Sequence, residues 1–144
     1  MSTERFKLIP AVHLFLIKDD QVLLLRRFNT GWEDGNYSVP AGHADGNETM
    51  RQAMAREALE EIGVTIRPED LEIAHVMHRM SDSERVDFFF TAATWDGQPS
   101  NVEPEKCDDL SWYSLNALPE NTIDYIRQAL ECYQKGESYS ELGW

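Results

Sequence analysis

Cysteine is scarce: Cys107 and Cys132 are the two in 144 residues. They have neither zinc-ligand spacing nor the pattern of a disulfide framework, so two idle or buried thiols in a reducing, cytoplasmic setting are expected. Positive charge is scarce too, with 13 Lys and Arg against 26 Asp and Glu and a net charge of −13. That balance disfavours nucleic acid polymers and anionic membrane surfaces as partners, but leaves a small phosphorylated ligand open if cations mediate. Long apolar runs are missing: the stretch Leu8 to Ile17 is interrupted by Pro10 and His13, far short of a membrane span, and the start lacks a signal-peptide core. Repeats, low-complexity tracts and Gly/Ser-rich linkers are missing as well. What is present is 42% hydrophobic and 27% charged, ordinary globular usage. The length predicts a single domain over 1–144, with core enough to stand without covalent staples.

Apolar Ala11 to Ile17 and Gln21 to Arg27, separated by Lys18-Asp19-Asp20, predict two strands joined by a tight turn. Phe28 to Asn36 has loop composition and leads into a short strand, Tyr37-Ser38-Val39, stopped by Pro40. A Gly-bearing loop, Ala41 to Asn47, precedes a helix predicted over Glu48 to Ile62, with Gly63 in the position of a C-cap. Leu71 to Met80 and Val86 to Trp95 predict a long antiparallel pair, and Leu110 to Tyr113 a further strand. A last helix is expected over about Thr122 to Lys135, where Ile123, Ile126, Ala129, Leu130 and Tyr133 fall at helical spacing. Gly136 to Trp144 carries no readable pattern. Strands interleaved with two helices make an α/β or α+β sheet covered by helices.

The chemistry concentrates in Gly42 to Val64. At about 100° per residue, Glu57, Glu60 and Glu61 share one helix face. Like charges so placed destabilise an isolated helix unless a cation compensates them. The core stripe is expected on the other side, at Met54, Ala55, Ala58, Leu59 and Ile62. Carboxylate oxygens without Cys or His among them suit Mg²⁺, or Mn²⁺, rather than zinc. A carbonyl near Gly42 completes such a site, because glycine lets backbone approach a ligand closely. The competing reading of these acids is a solvated face with Arg51 and Arg56 as charge partners.

The stretch resembles the Nudix hydrolase signature, G-x5-E-x7-R-E-U-x-E-E-x-G-U, through Gly42, Glu48, Arg56, Glu57, Glu60, Glu61, Gly63 and Val64. Ala58 departs from the usual bulky aliphatic residue. The resemblance implies an α/β/α sandwich with a mixed β-sheet around a loop-helix-loop motif. It also implies Mg²⁺-dependent cleavage of a nucleoside triphosphate or related nucleotide to a monophosphate and pyrophosphate, as in MutT-like members. In that scheme Glu57 and Glu61 are the principal metal ligands, Glu60 is a further or water-mediated one, and Arg56 pairs with Glu48 to hold the loop. A general base comes from the signature or from a later loop, where Glu103 and Glu105 are the candidates. The alternatives are an ADP-ribose, nucleotide-sugar or dinucleoside polyphosphate pyrophosphatase and, below these, a non-catalytic nucleotide-sensing module.

Beyond the signature, Arg26 and Arg27 are candidates to meet a substrate phosphate, and strand alternation allows at most one of them into the site. Trp32, in a polar loop, is the aromatic best placed to stack on a base, ahead of Tyr37, Phe89 and Trp112. His13 and His78 are expected as strand residues and His43 as a loop residue. Trp144 docks either on the body of the protein or on a second copy in a homodimer.

Overall fold

The structure is a computed structural model that describes residues 4–144. Its strands in chain order are β1 (Ile9–Phe15), β2 (Ile17–Lys18), β3 (Gln21–Arg27), β4 (Tyr37–Ser38), β5 (Ala41–His43), β6 (Leu71–Met80), β7 (Glu84–Ala92), β8 (Cys107–Ser114) and β9 (Tyr139–Leu142). Helix α1 (Met50–Ile62) lies between β5 and β6, and α2 (Asp124–Gln134) between β8 and β9. Five strands form a mixed sheet in the order β5-β1-β7-β6-β9, with β1 parallel to β7, β6 parallel to β9 and the other pairs antiparallel. A smaller antiparallel sheet is built on β3, which pairs with β2, β4 and β8. Among the described residues no helix is long and apolar enough to cross a membrane.

Strand alternation sorts the side chains into two cores. Val12, Leu14, Leu16, Leu23 and Phe90 pack with Ala53, Met54, Ala58 and Ile62 of α1. Their neighbours Phe15, Val22, Leu24 and Phe89 pack with Ile126, Ala129 and Leu130 of α2. The helices therefore cover opposite faces, which is the α/β/α sandwich with a mixed sheet. Phe15 and Phe89 are fully buried, and truncating either to Ala would cost roughly 3–5 kcal/mol.

Several boundaries differ from the sequence expectations. The first apolar run is not one hairpin strand: β1 pairs within the large sheet, the chain crosses over at Leu16, and the short β2 makes the hairpin with β3. Asp19 and Asp20 turn it with φ of 53° and 60°, the conformation a two-residue hairpin turn needs. Ala41 to His43 is strand rather than loop, because β1 offers it an edge. Helix α1 starts after Thr49, not at Glu48. The Thr49 hydroxyl accepts from the Gln52 N–H and the Gln52 amide oxygen accepts from the Thr49 N–H, a reciprocal cap that fixes the first turn. Ala58 is fully buried, whereas Leu59 is 53% exposed; the buried stripe runs through residues 54, 58 and 62, and Leu59 falls past its edge. The chain from Gly136 onward, unreadable in sequence, supplies β9.

Candidate active site

The C-terminal half of α1 and the loop before it build the site. Gly63 ends the helix at φ 70°, with its N–H donating to the Leu59 carbonyl, a left-handed cap that suits glycine. Glu57 and Glu61, one turn apart, both face strand β5. The Ala41 N–H donates to Glu61 Oε2 at 2.8 Å, and the Glu57 carboxylate lies over Gly42, where a Cβ would stand 2.2 Å from its carboxyl carbon. A residue with a side chain at position 42 would occupy the space that carboxylate fills.

Arg56 ties the loop to the helix. Its Nε and Nη2 donate to Glu48 at 3.1 and 2.9 Å, its Nη1 donates to Glu57 at 2.9 Å, and Asp45 stands 3.2 Å away. Glu48 also accepts from the Asp45 N–H, so the loop turns back on its own side chain. These contacts hold the arginine's pKa above its ordinary value, Glu48 contributing most. Glu60 is 3.6 Å from Arg56 and more than half exposed, at the more open part of the same wall as Glu57 and Glu61.

The two inner carboxylates are electrostatically unfinished. Burial pushes Glu61 up to about 8, helped by the nearby Glu57 charge, and burial also raises Glu57 despite its contact with Arg56. Among the described residues no three acidic, histidine or cysteine side chains stand together as a ready-made cation cage. The donor set still fits a magnesium-type ion, which keeps several waters and needs only one or two carboxylates. Two partly desolvated carboxylates facing one cavity, of which only Glu57 is paired with an arginine, are a place where a cation is favourable.

That cavity, of about 570 Å³, is lined by Glu57, Glu60 and Glu61 on one side and Arg27, Glu103 and Lys106 on the other. It takes in Arg27 and not Arg26, which bonds Asp108 at 2.7 Å on the other side of β3. It takes in Glu103 and not Glu105, which is exposed outside it. Glu103 is 3.7 Å from Lys106. Arg27 in turn donates to the Trp32 carbonyl and lies 4.8 Å from the centre of the Trp32 ring. Trp32, 46% exposed, borders a second cavity of about 410 Å³ with Asn121, Tyr125, Arg79 and Leu142. The two cavities adjoin through the Arg27–Trp32 pair.

Sequence reasoning missed Lys106, Arg79 and the tail residue Leu142. Lys106 follows the singled-out Glu105, but its side chain finds the cavity only because β8 begins at Cys107 and pairs with β3. His13 is a strand residue as expected, yet it is buried against Asp87 rather than against apolar side chains alone. Trp144 docks on the body of its own chain, its indole N–H donating to the His78 carbonyl.

Residues 7–131 match the NUDIX domain model. The chain is 30% identical over 113 residues to the NAD-capped RNA hydrolase NudC of Stutzerimonas stutzeri, covering 78% of this chain and 39% of that protein. It thus spans about two fifths of that relative's length. It is 24% identical over 106 residues to the phosphatase NudJ of Escherichia coli, covering 72% of this chain and 69% of NudJ. Among solved structures, it superposes on a MutT NUDIX hydrolase from Burkholderia pseudomallei with a TM-score of 0.79 and 26% identity, over 88% of this chain and 98% of that one.

Proposed function

The chain belongs to the NUDIX family and is a Nudix hydrolase, and from that premise we propose that it cleaves a nucleoside triphosphate or related nucleotide to a monophosphate and pyrophosphate. The observation that carries this reading is the first cavity: partly buried carboxylates on one wall and the cations Arg27 and Lys106 on the other. A phosphate chain held by the cationic wall would bring its charge to the carboxylate wall, where a divalent cation such as Mg²⁺ or Mn²⁺ would offset both sets of negative charge.

Glu57 and Glu61, with the Gly42 carbonyl, are the groups that would hold the ion, and Glu60 would serve as a further or water-mediated ligand. When bound, the ion neutralises phosphate oxygens and lowers the pKa of water. The protein's own part is positioning. Arg56, held by Glu48, fixes the Glu57 carboxylate. Arg27 and Lys106 bind phosphate oxygens, and Trp32 offers its ring face to the base. Water oxygen bonds to phosphorus as the bridging P–O bond breaks; one proton passes to the Glu103 carboxylate, and the bridging oxygen leaves with pyrophosphate.

The test is incubation of the purified chain and Mg²⁺ with a panel of nucleoside triphosphates, ADP-ribose and dinucleoside polyphosphates, with products identified by mass. Monophosphate and pyrophosphate from a triphosphate are expected. Turnover confined to ADP-ribose or a dinucleotide would replace the substrate class, and turnover of none would favour a nucleotide-sensing module.

A further inference from the structure

On the α2 face of the large sheet, three polar side chains from three strands meet beside the apolar core. Arg79 of β6 donates from Nε to Asp87 Oδ2 of β7 at 2.7 Å, and from Nη2 to Oδ1 at 3.3 Å. His13 of β1 donates from Nε2 to the same carboxylate at 3.0 Å. Asp87 is fully buried and Arg79 is 8% exposed. The guanidinium carbon also lies 3.8 Å from the centre of the Tyr125 ring, so the fork is clamped on an edge and a face. Its Nη1 group has no partner among the described residues, and Arg79 lines the second cavity.

The tail closes that cavity. Strand β9 pairs Leu142 with Arg79, and Leu142 forms a wall. His75 anchors the strand by hydrogen bonds to the Glu137 carbonyl and Ser140 hydroxyl. The opening carries Glu33, Glu120 and Asp124, which repel an anion, and Asp87 already balances the arginine's charge. What fits is a flat, neutral ring with a hydrogen-bond acceptor facing Nη1.

We propose that Arg79, positioned by Asp87 and walled by Leu142, is a specificity-determining residue that selects a nucleobase presenting a carbonyl oxygen over one presenting an amino group. This rests on the nucleotide reading above. A fixed donor gains a charge-assisted hydrogen bond with a carbonyl and meets another donor in an amino group. Discrimination of this kind is strong because the wrong base would cover Nη1, which is open to the cavity, and strip it of water without replacing the hydrogen bond.

The experiment compares kcat and KM for GTP against ATP, and UTP against CTP, in the unaltered protein and in the charge-balanced double variant Arg79→Gln/Asp87→Asn. At least one carbonyl-bearing substrate is expected to be preferred by about tenfold or more in kcat/KM. The double variant should bring that ratio to about twofold or less, through the KM of the preferred substrate. A purely structural defect lowers both substrates alike and leaves the ratio unchanged, which would overturn the proposal, as would equal use of all four substrates by the unaltered protein. Absence of turnover with every nucleotide would instead overturn the underlying hydrolase reading. Should the double variant not fold, the Arg79 guanidinium NMR signals of the unaltered protein decide. They shift on adding the monophosphate of the preferred base and not with its amino counterpart; equal shifts, or none, contradict the proposal.

Discussion

Gly42 lies directly beneath the Glu57 carboxylate, so that a methyl group on its α-carbon would stand 2.2 Å from the carboxyl carbon. The strand before the helix and the acid on the helix are thereby fitted to each other. Because the obstructing atoms are the end of a flexible side chain, Gly42→Ala should displace Glu57 and leave the backbone in place. The expected result is loss of at least about tenfold in kcat, as for a group misplaced by an ångström, with a melting temperature within a few degrees of the unaltered protein. Retained turnover would mean that the position of Glu57 is unimportant.

Arg56 joins Glu48, Asp45 and Glu57 at one guanidinium. Arg56→Ala should release the Ala44 to Thr49 loop as well as the Glu57 side chain. Amide exchange in that loop should quicken and turnover fall together, at a cost of about 1 kcal/mol in stability, since the group is partly solvated. Slow exchange in the variant would show that the loop is held by other contacts.

The buried polar cluster under α2 predicts acid sensitivity. Burial alone would raise Asp87, but the hydrogen bonds from His13 and Arg79 outweigh it and hold the carboxyl at about 2, while burial lowers His13. A depressed carboxyl pKa contributes stability that is present above its unfolded value and lost as pH falls through the folded one. For Asp87 that window runs from about pH 4 to 2, and the contribution is about 2 kcal/mol. His13 acts in the same direction from about pH 6.5 downward, because its unfolded form takes up a proton that the buried ring resists. Urea unfolding midpoints should fall on acidification below pH 6.5 and again below pH 4. The double variant Arg79→Gln/Asp87→Asn should shrink the second step, to which the lowered carboxyl groups of Asp34, Glu48, Asp82 and Asp109 also contribute, and keep much of the first.

The legible parts of the molecule are those decided by neighbours in sequence. Helix α1 is marked by its run of helix formers and its cap at Gly63, and strand alternation allowed only one of Arg26 and Arg27 to enter the site; the start at Thr49 is not marked. The illegible parts depend on partners far along the chain. Strand β9 is a polar tetrapeptide that becomes a strand because β6 has a free edge and His75 reaches its backbone. Arg79, Asp87 and His13 read as three unrelated polar residues on apolar strands. Their meeting requires β1 to lie parallel to β7 and β7 antiparallel to β6, an order that no local pattern specifies. Likewise Glu103 and Glu105 have similar sequence surroundings, and only the path of the loop into β8 separates the lining residue from the exposed one.

The most direct measurement concerns the two inner carboxylates: Mn²⁺ binding by electron paramagnetic resonance, alongside Mg²⁺-dependent turnover, for the unaltered protein, Glu57→Gln and Glu61→Gln. Either substitution replaces a carboxyl group whose burial opposes its charged form, so stability should be equal or higher while ion affinity and turnover fall, turnover by about a hundredfold or more. Removing the ion with a chelator should abolish turnover in the unaltered protein and restoring Mg²⁺ should return it. Full Mn²⁺ affinity and normal turnover in both variants would contradict the account, because the cation site would then lie elsewhere.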